Sequence, residues 1–379
     1  MAHPPLSHSL PPLLLGSATF NSQYNKNPFS LPTNPIIHRF LTSSGPFTPG
    51  FDTSPYYGPA EILLGRTLKH LAATHNIQRP SYFLATKIGR IAAAEFDYSP
   101  SWIRQSITRS LDRLGTAYLD LVYCHDVEFV SLEEVLIAIT TLRELRSEGK
   151  IRYVGISGYP VAVLAELAKK VYDETGEALD AVMSYSNYTI QNTRLHSQAL
   201  QRLKDAKVDC VLNASLLGMG LLRSQGVPVG DMGDFHPSSD DLRWVCSGVA
   251  AYAGKKGKKL EDVAYRWALE NWADVGSSVG AGVAKGGRIG VSVIGVSYLE
   301  ELESILNLWR DVIKARDGDV DAKRRRKEND ALVEELKGVF GQWYDDVWES
   351  PGEGYIRKQP GPDRLLSDVE VWPELKAAD

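Results

Sequence analysis

The chain has 379 residues, of which 43% are hydrophobic, and its formal net charge is −5. This composition excludes a largely disordered chain, and the acidic balance provides no positive field that would attract nucleic acid or an anionic membrane. The three cysteines and eight histidines lack the spacing of a zinc site or a disulfide framework, and no run is apolar enough for a membrane span. We therefore expect a cytoplasmic protein that needs no metal and binds neither nucleic acid nor a membrane.

Short apolar runs alternate along the chain with longer segments of helical periodicity. The runs predict eight strands, at 12–15, 50–52, 82–86, 119–124, 153–156, 181–185, 209–213 and 291–294. Helical spacing predicts helices at 61–73, 101–114, 132–148, 161–174, 195–206, 240–254, 260–270 and 298–310. Eight strands in alternation with helices favour an α/β fold in which a parallel sheet closes into a (β/α)8 barrel of the TIM type.

Three segments fall outside this alternation. Residues 276–290 are rich in Gly, Ser and Ala, which predicts a flexible loop before the last strand. Residues 315–330 are densely charged, which indicates a solvated helix end or, alternatively, a nuclear-localisation signal at 323–326. A final helix is predicted at 331–348, followed by a tail that wraps the barrel. We expect one domain over 1–379, with its core at about 12–310 and the C-terminal helix and tail at 311–379.

Four chemically active side chains follow the ends of predicted strands, where barrels of this kind place their chemistry. Asp52 ends the second strand, Lys87 follows the third, and His125 follows the fourth. Tyr57 lies five residues after Asp52, in a loop that can return over the barrel mouth. Tyrosine can exchange a proton with an oxygen during hydride transfer, and a nearby lysine would lower its high pKa. An aspartate would hold the lysine, and a neutral histidine would orient the substrate.

Around these residues the sequence resembles the aldo-keto reductase family. The resemblance is carried by DTSPYYG at 52–58, TK at 86–87, LDL at 119–121 and GKIRYVGIS at 149–157. These motifs occur in the family's order and cover roughly residues 12–310. The resemblance implies a barrel, a nicotinamide cofactor, and a catalytic tetrad of Asp52, Tyr57, Lys87 and His125.

The resemblance also implies residues that contact the cofactor. These are Ser157, Gly158, Ser184, Ser215, Leu217, Gly218, Gly295, Ser297 and Glu301. Three positions depart from the family: Gly158 replaces its usual Asn, Ser184 stands where many members have Gln, and Ala214 stands where many have an aromatic residue that stacks on nicotinamide. Glu301 falls where NADP-binding members often have Arg. A carboxylate there would repel a 2′-phosphate, which favours NAD, although Glu300 and Glu301 are also typical of a helix's first turn.

Within the family, LDLVYCHDVEFV at 119–130 and SYSNYTIQN at 184–192 resemble NAD-dependent enzymes that oxidise aldoses such as D-arabinose. This implies oxidation of a cyclic aldose at C1, from D-arabinose to D-arabinono-1,4-lactone, with Tyr57 as general acid and base. Phe20, Asn21, Asp126 and Tyr188 are candidates for the substrate pocket, and each could equally be a packing or capping residue. Alternatives are an L-galactose or L-fucose dehydrogenase, a general NADPH-dependent aldehyde reductase, and a nucleotide-sensing regulatory subunit. We expect a monomer or a weak homodimer.

Overall fold

Eight parallel strands form a closed barrel in the computed structural model, which describes residues 3–43, 45, 47–230, 232–284, 287–361 and 366–377. The barrel strands are β1 (Leu13–Gly16), β2 (Gly50–Asp52), β3 (Phe83–Ile88), β4 (Leu119–His125), β5 (Ile151–Gly158), β6 (Ala181–Tyr185), β7 (Cys210–Ala214) and β10 (Val291–Gly295). Strands β1 to β7 pair in chain order, and β10 closes the ring between β7 and β1. The predicted (β/α)8 barrel is confirmed, and each predicted strand overlaps an observed one.

Helices surround the barrel. They are α1 (Thr33–Leu41), α2 (Ala60–His75), α3 (Pro100–Leu114), α4 (Leu132–Ser147), α5 (Val161–Thr175), α6 (Leu200–Asp205), α7 (Asp240–Lys255), α8 (Leu260–Val275), α9 (Leu299–Arg316), α10 (Val320–Phe340) and α11 (Asp368–Val371). Serines begin several of them, and Ser131 with Glu134 forms a complete capping box at α4. The sequence analysis did not predict α1, which has nine residues and begins between prolines. Within the described ranges, no helix has the length and apolarity to cross a membrane.

The N-terminal segment closes the end of the barrel opposite the strands' carboxyl ends. Leu6 and Leu10, beside a short 3-10 turn (Leu6–His8), pack among interior barrel residues such as Phe83 and Leu121. The backbone N–H of Ser7 donates a hydrogen bond to the Asp209 carboxylate, 2.8 Å away. This plug leaves the carboxyl ends of the strands as the open mouth of the barrel.

Residues 276–290 contain an antiparallel hairpin, so the prediction of a flexible loop is wrong there. Its strands are β8 (Ala281–Ala284) and β9 (Gly287–Ile289), while residues 285–286 lie outside the described part. A Cβ on Gly290 would lie 1.9 Å from the backbone oxygen of Trp272, and one on Gly280 would lie 2.1 Å from that of Ile289. These two glycines therefore permit close packing, a role that composition does not distinguish from flexibility.

The densely charged segment is the first half of α10, which begins eleven residues before the predicted helix and ends at Phe340. Arg325 pairs with Asp311 at 2.8 Å, and Arg326 pairs with Asp274 at 2.6 Å. Residues 315–330 also include the end of α9 and are mostly exposed, as predicted for a solvated helix end, but Arg325 and Arg326 additionally connect α10 to α9 and to the end of α8. Long arginine side chains allow a helix of low hydropathy to pack in this way.

After α10 the chain crosses the barrel mouth as a strap, residues 343–361. In order, it contacts Gln191 and Thr193 after β6, Tyr159 after β5, Glu128 and Phe129 after β4, and Ala94 after β3. The Trp348 ring stacks on the Tyr159 ring with centroids 4.4 Å apart, and the Ser350 hydroxyl donates to the Glu128 carboxyl at 3.0 Å. The strap therefore forms one wall of the cavity at the barrel mouth.

Candidate active site

A cavity of about 700 Å3 lies at the carboxyl ends of the strands. This volume is within the range of small-molecule and cofactor sites. All four predicted catalytic residues line it. Further predicted site residues along its wall are Asp126, Ser157, Ser215, Leu217, Gly295, Ser297 and Glu301. The barrel's geometry brings them together because parallel strands end at the same mouth.

Asp52 and Lys87 form a buried ion pair at the base of the cavity. Lys87 Nζ lies 2.6 Å from Asp52 Oδ1 and also donates to the backbone oxygen of Thr53 at 2.9 Å. The two side chains are only 4% and 1% exposed. Burial raises the pKa of the Asp52 carboxyl above its ordinary value, and the neighbouring Lys87 offsets part of this shift. The pair therefore fixes the lysine head group against the cavity floor.

Tyr57 reaches the cavity from the loop between β2 and α2. Gly58, which follows it, has a φ of +56°, a left-handed conformation that glycine adopts without strain. Lys87 Nζ lies 4.7 Å from the centroid of the Tyr57 ring. The Tyr57 and His125 rings meet edge to face, with centroids 5.6 Å apart and an interplanar angle of 88°. The Lys87 ammonium and the His125 imidazole thus both lie beside the Tyr57 ring.

The Tyr57 phenol does not have the lowered pKa that the sequence analysis expected. Burial raises its pKa well above its ordinary value, and the negative charges of Asp52 and Asp126 raise it further, while Arg90 opposes them. Lys87 Nζ, 4.7 Å from the centroid of the ring, is paired with Asp52 at 2.6 Å. The phenol is therefore protonated at neutral pH, and it can take a proton from a substrate hydroxyl only after it has lost its own.

His125 is neutral at physiological pH. Burial, aided by the positive charges of Lys87 and Arg90, lowers its pKa to about 3 although Asp126 opposes the shift. Its Nδ1 is 3.2 Å from the hydroxyl of Ser54, and its Nε2 is 3.5 Å from Asp126 Oδ2. We assign the ring hydrogen to Nε2 because that nitrogen faces the carboxylate. The imidazole can then donate a hydrogen bond to an oxygen bound beside Tyr57.

Arg90 is a cavity residue that the sequence analysis missed. Its guanidinium pairs with Asp126 and lies over the Tyr56 ring, 4.0 Å from the centroid. Tyr24, Tyr56, Tyr185, Trp348 and Ser350 also line the cavity without having been predicted. Arg90 follows Lys87 by three residues, so its place beyond a strand end was a usable signal. No sequence signal marked Trp348 and Ser350, which reach the cavity only through the strap.

Three of the four predicted substrate residues do not line the cavity. Phe20 is buried in the core, and Asn21 closes a local turn in which its Oδ1 accepts from the backbone N–H of Gln23 at 2.7 Å. Tyr188 stacks on Trp267, with centroids 5.1 Å apart, in the layer between barrel and helices. These three residues therefore have the packing and turn roles that were the alternative for each of them, whereas Asp126 lines the cavity.

Three predicted cofactor contacts also lie off the cavity wall: Gly158, Ser184 and Gly218. The Ser184 hydroxyl is fully buried and accepts from the side-chain amide of Asn187 at 3.0 Å. A Cβ on Gly158 would lie 2.3 Å from Glu128 Oε2, so the Glu128 carboxyl occupies the space that a side chain would need.

The far end of the cavity is strongly charged. It is lined by Arg223, Lys259, Glu261, Asp262, Glu300 and Glu301. Glu301 accepts a hydrogen bond from the backbone N–H of Ser297 at 2.8 Å and lies 3.4 Å from an Arg223 nitrogen. Glu301 therefore lies in the first turn of α9, as predicted, and it also lines the cavity.

These features fit a dinucleotide with nicotinamide at the catalytic end. Ser157, Ser215 and Ser297 also line the cavity, and the first turn of α9 contributes Glu300 and Glu301 to its wall. Ser215 has a φ of +53°, an uncommon value for a residue other than glycine that is enriched at functional sites. No cluster of potential metal ligands occurs in the part of the chain that the structure describes.

Comparison with known proteins agrees with this geometry. Residues 12–320 match the model of the aldo/keto reductase family. D-arabinose 1-dehydrogenase of Saccharomyces cerevisiae is 40% identical over 345 residues, which cover 90% of this chain and 94% of the relative. L-galactose dehydrogenase of Arabidopsis thaliana is 37% identical over 66% of this chain and 75% of its own length. The solved structure of a glycerol dehydrogenase from Gluconobacter oxydans has the same fold, with a TM-score of 0.57 at 18% identity and coverage of 92% of this chain and 97% of that one. This chain therefore belongs to the aldo/keto reductase family and is an oxidoreductase.

Proposed function

We propose that this protein is an NAD-dependent aldose 1-dehydrogenase that oxidises C1 of a cyclic aldose, with D-arabinose as the first candidate. The observation that carries the proposal is the position of Tyr57 on the cavity wall, with Lys87 and His125 both beside its ring. The names of the two sugar dehydrogenases that resemble this chain support the choice of substrate.

The bound nicotinamide ring would supply the hydride acceptor for C1. The Tyr57 oxygen, in its phenolate form, takes the proton from the C1 hydroxyl as the C1–H bond breaks, so that a lactone carbonyl forms. His125 donates a hydrogen bond to the same oxygen from Nε2 and so fixes its position. Lys87, held by Asp52, stabilises negative charge on the phenol oxygen.

The charged end of the cavity supports NAD over NADP as the cofactor. Four carboxylates line it, of Glu261, Asp262, Glu300 and Glu301, against the two cations of Arg223 and Lys259. This excess of negative charge would repel a 2′-phosphate, while a carboxylate could accept a hydrogen bond from a free 2′-hydroxyl. NAD therefore fits the local charge better than NADP.

A direct test supplies purified protein with NAD or NADP and a panel of D-arabinose, L-galactose, L-fucose and simple aldehydes. Formation of NADH and a lactone with D-arabinose is the expected result. A stronger rate with L-galactose or L-fucose would retain the chemistry and change the substrate. Consumption of NADPH by aldehydes, with every sugar inactive, would contradict the proposal. Binding of NAD without any turnover would favour a nucleotide-sensing role.

A further inference from the structure

The C-terminal segment, residues 366–377, packs against the loop that carries Tyr57. The ring of its Trp372 lies beside Gly58, the residue after Tyr57, where a Cβ on the glycine would be 3.4 Å from the ring. The same ring meets that of Phe29, with centroids 6.0 Å apart. Trp372 does not line the cavity. The indole therefore packs against the β2–α2 loop without facing the space where a substrate would bind.

An ion pair anchors the C-terminal segment close to this ring. The Arg113 guanidinium of α3 lies 2.6 Å from the Asp368 carboxylate and 3.2 Å from that of Glu61 in α2. Glu61 is fully buried and accepts a hydrogen bond from the Thr86 hydroxyl at 2.7 Å. Thr86 precedes Lys87 in β3. The segment is thus connected, through two helices, to the strand that carries Lys87.

The Tyr57 loop gains little support from its own backbone. The N–H of Tyr57 donates to the oxygen of Ser54 at 3.0 Å, and the oxygen of Tyr57 accepts from the N–H of Ala60 at 3.1 Å. Both bonds close local turns and do not tie Tyr57 to a strand. Gly58, with its φ of +56°, has no side chain to pack. The position of the phenol therefore depends in part on what packs against the loop.

We propose that Trp372 is a positioning residue for Tyr57: its ring, anchored by the ion pair of Asp368 with Arg113, holds the β2–α2 loop so that the phenol faces the reacting carbon. This inference rests on the proposed function, because it takes Tyr57 to be the group that exchanges the proton. A displacement of about 1 Å in a catalytic group can lower turnover by about 100-fold. A residue outside the cavity can therefore set the rate without touching substrate or cofactor.

The kinetic test compares two replacements of Trp372 in the full-length protein. In Trp372→Ala we expect kcat with D-arabinose to fall about 10- to 100-fold, while the Kd for NADH, followed by the fluorescence of the nucleotide, stays within about twofold of wild type. Trp372→Phe keeps an aromatic ring beside Gly58, so kcat should remain within about threefold of wild type. A merely structural role would not separate kcat from cofactor binding in this way.

Hydrogen exchange of the loop gives a second readout that needs no turnover. In Trp372→Ala, amide exchange in a peptide that spans residues 53–58 should become about tenfold faster, because local opening governs exchange in weakly packed segments. Peptides from β5, in the barrel wall, should exchange as in wild type. Faster exchange confined to the loop would locate the effect of Trp372 at Tyr57.

The matched control is Trp244→Ala. It removes the same side chain from α7, where Trp244 is 78% exposed. We expect this variant to keep the wild-type kcat, the Kd for NADH and the exchange rate of residues 53–58. The comparison separates the loss of the contact with the loop from the loss of a tryptophan in general.

The outcomes separate this inference from the proposed function. Inactivity of the wild-type protein with every aldose overturns the proposed function, and unchanged exchange of residues 53–58 in Trp372→Ala would then overturn the inference as well. If the wild type oxidises D-arabinose, an unchanged kcat in Trp372→Ala overturns the inference alone. Weaker NADH binding together with faster exchange in β5 also overturns the inference alone, because it would indicate a general loss of structure.

Discussion

Replacement of Lys87 by Met tests whether the buried ion pair stabilises the protein and organises the site at once. At an effective dielectric constant of about 20, unit charges at the observed 2.6 Å separation attract by about 6 kcal/mol, which offsets the desolvation of both groups. Lys87→Met leaves the Asp52 carboxylate buried without a counter-charge, and its Oδ2 already has no partner within the described residues. We expect a loss of about 3–5 kcal/mol in the free energy of unfolding.

A double variant separates stability from activity. Adding Asp52→Asn to Lys87→Met removes the uncompensated charge, so we expect recovery of about 1–3 kcal/mol in urea unfolding at neutral pH. Turnover should not recover, since the positive charge beside Tyr57 is still missing, and kcat should stay about 100- to 1000-fold below wild type. Stability losses that simply add, or a double variant that regains activity, would refute this reasoning.

Three further predictions concern proton transfer, pH-dependent stability and the cofactor. Because the Tyr57 phenol is protonated at neutral pH, kcat/KM for oxidation should rise with pH, and a flat pH profile would contradict the role of Tyr57 as the base. Tyr57→Phe should lose about 100-fold or more in kcat while still binding NAD. Burial raises the pKa of Glu128 from 4.5 to about 8, so the folded state holds this proton more tightly. Its stabilising effect is present below about pH 4.5 and is lost as pH rises through about 8, by at most about 1.4 kcal/mol per pH unit. Glu128→Gln should remove that component from the pH dependence of unfolding, and an identical slope in both proteins would place the titration elsewhere. Glu301→Lys should raise the ratio of kcat/KM with NADP to kcat/KM with NAD by about tenfold. The control Glu303→Lys, which alters a residue of α9 paired with Arg39, should leave this ratio unchanged. Equal effects of the two variants would exclude a local contact of Glu301 with the cofactor.

Local patterns predicted the barrel because most of its strands are short apolar runs that end at or before a polar residue. The positions of Asp52, Lys87 and His125 could also be predicted, because the carboxyl ends of the strands in this fold surround the mouth of the barrel. Even β2, which has three residues and follows a Gly- and Pro-rich stretch, forms where it was predicted.

Features that depend on distant contacts could not be predicted in this way. Gly280 and Gly290 have the composition of a flexible loop, but their roles depend on backbone atoms that approach them in the folded chain. Trp348 reaches the cavity because the strap returns across the mouth and stacks on Tyr159. The direction of the Tyr57 pKa shift depends on burial and on the nearby charges of Asp52 and Asp126, which spacing along the chain does not reveal.

The most direct test of the account follows a deuterium atom from D-arabinose labelled at C1. If C1 gives its hydride to the nicotinamide ring, each lactone formed should be matched by one deuterated NADH, detected by mass spectrometry. In Tyr57→Phe the label should reach the cofactor about 100-fold or more slowly, in step with the loss of kcat. Unlabelled NADH, or no NADH with D-arabinose or any other aldose, would contradict the assignment of this site as an aldose 1-dehydrogenase.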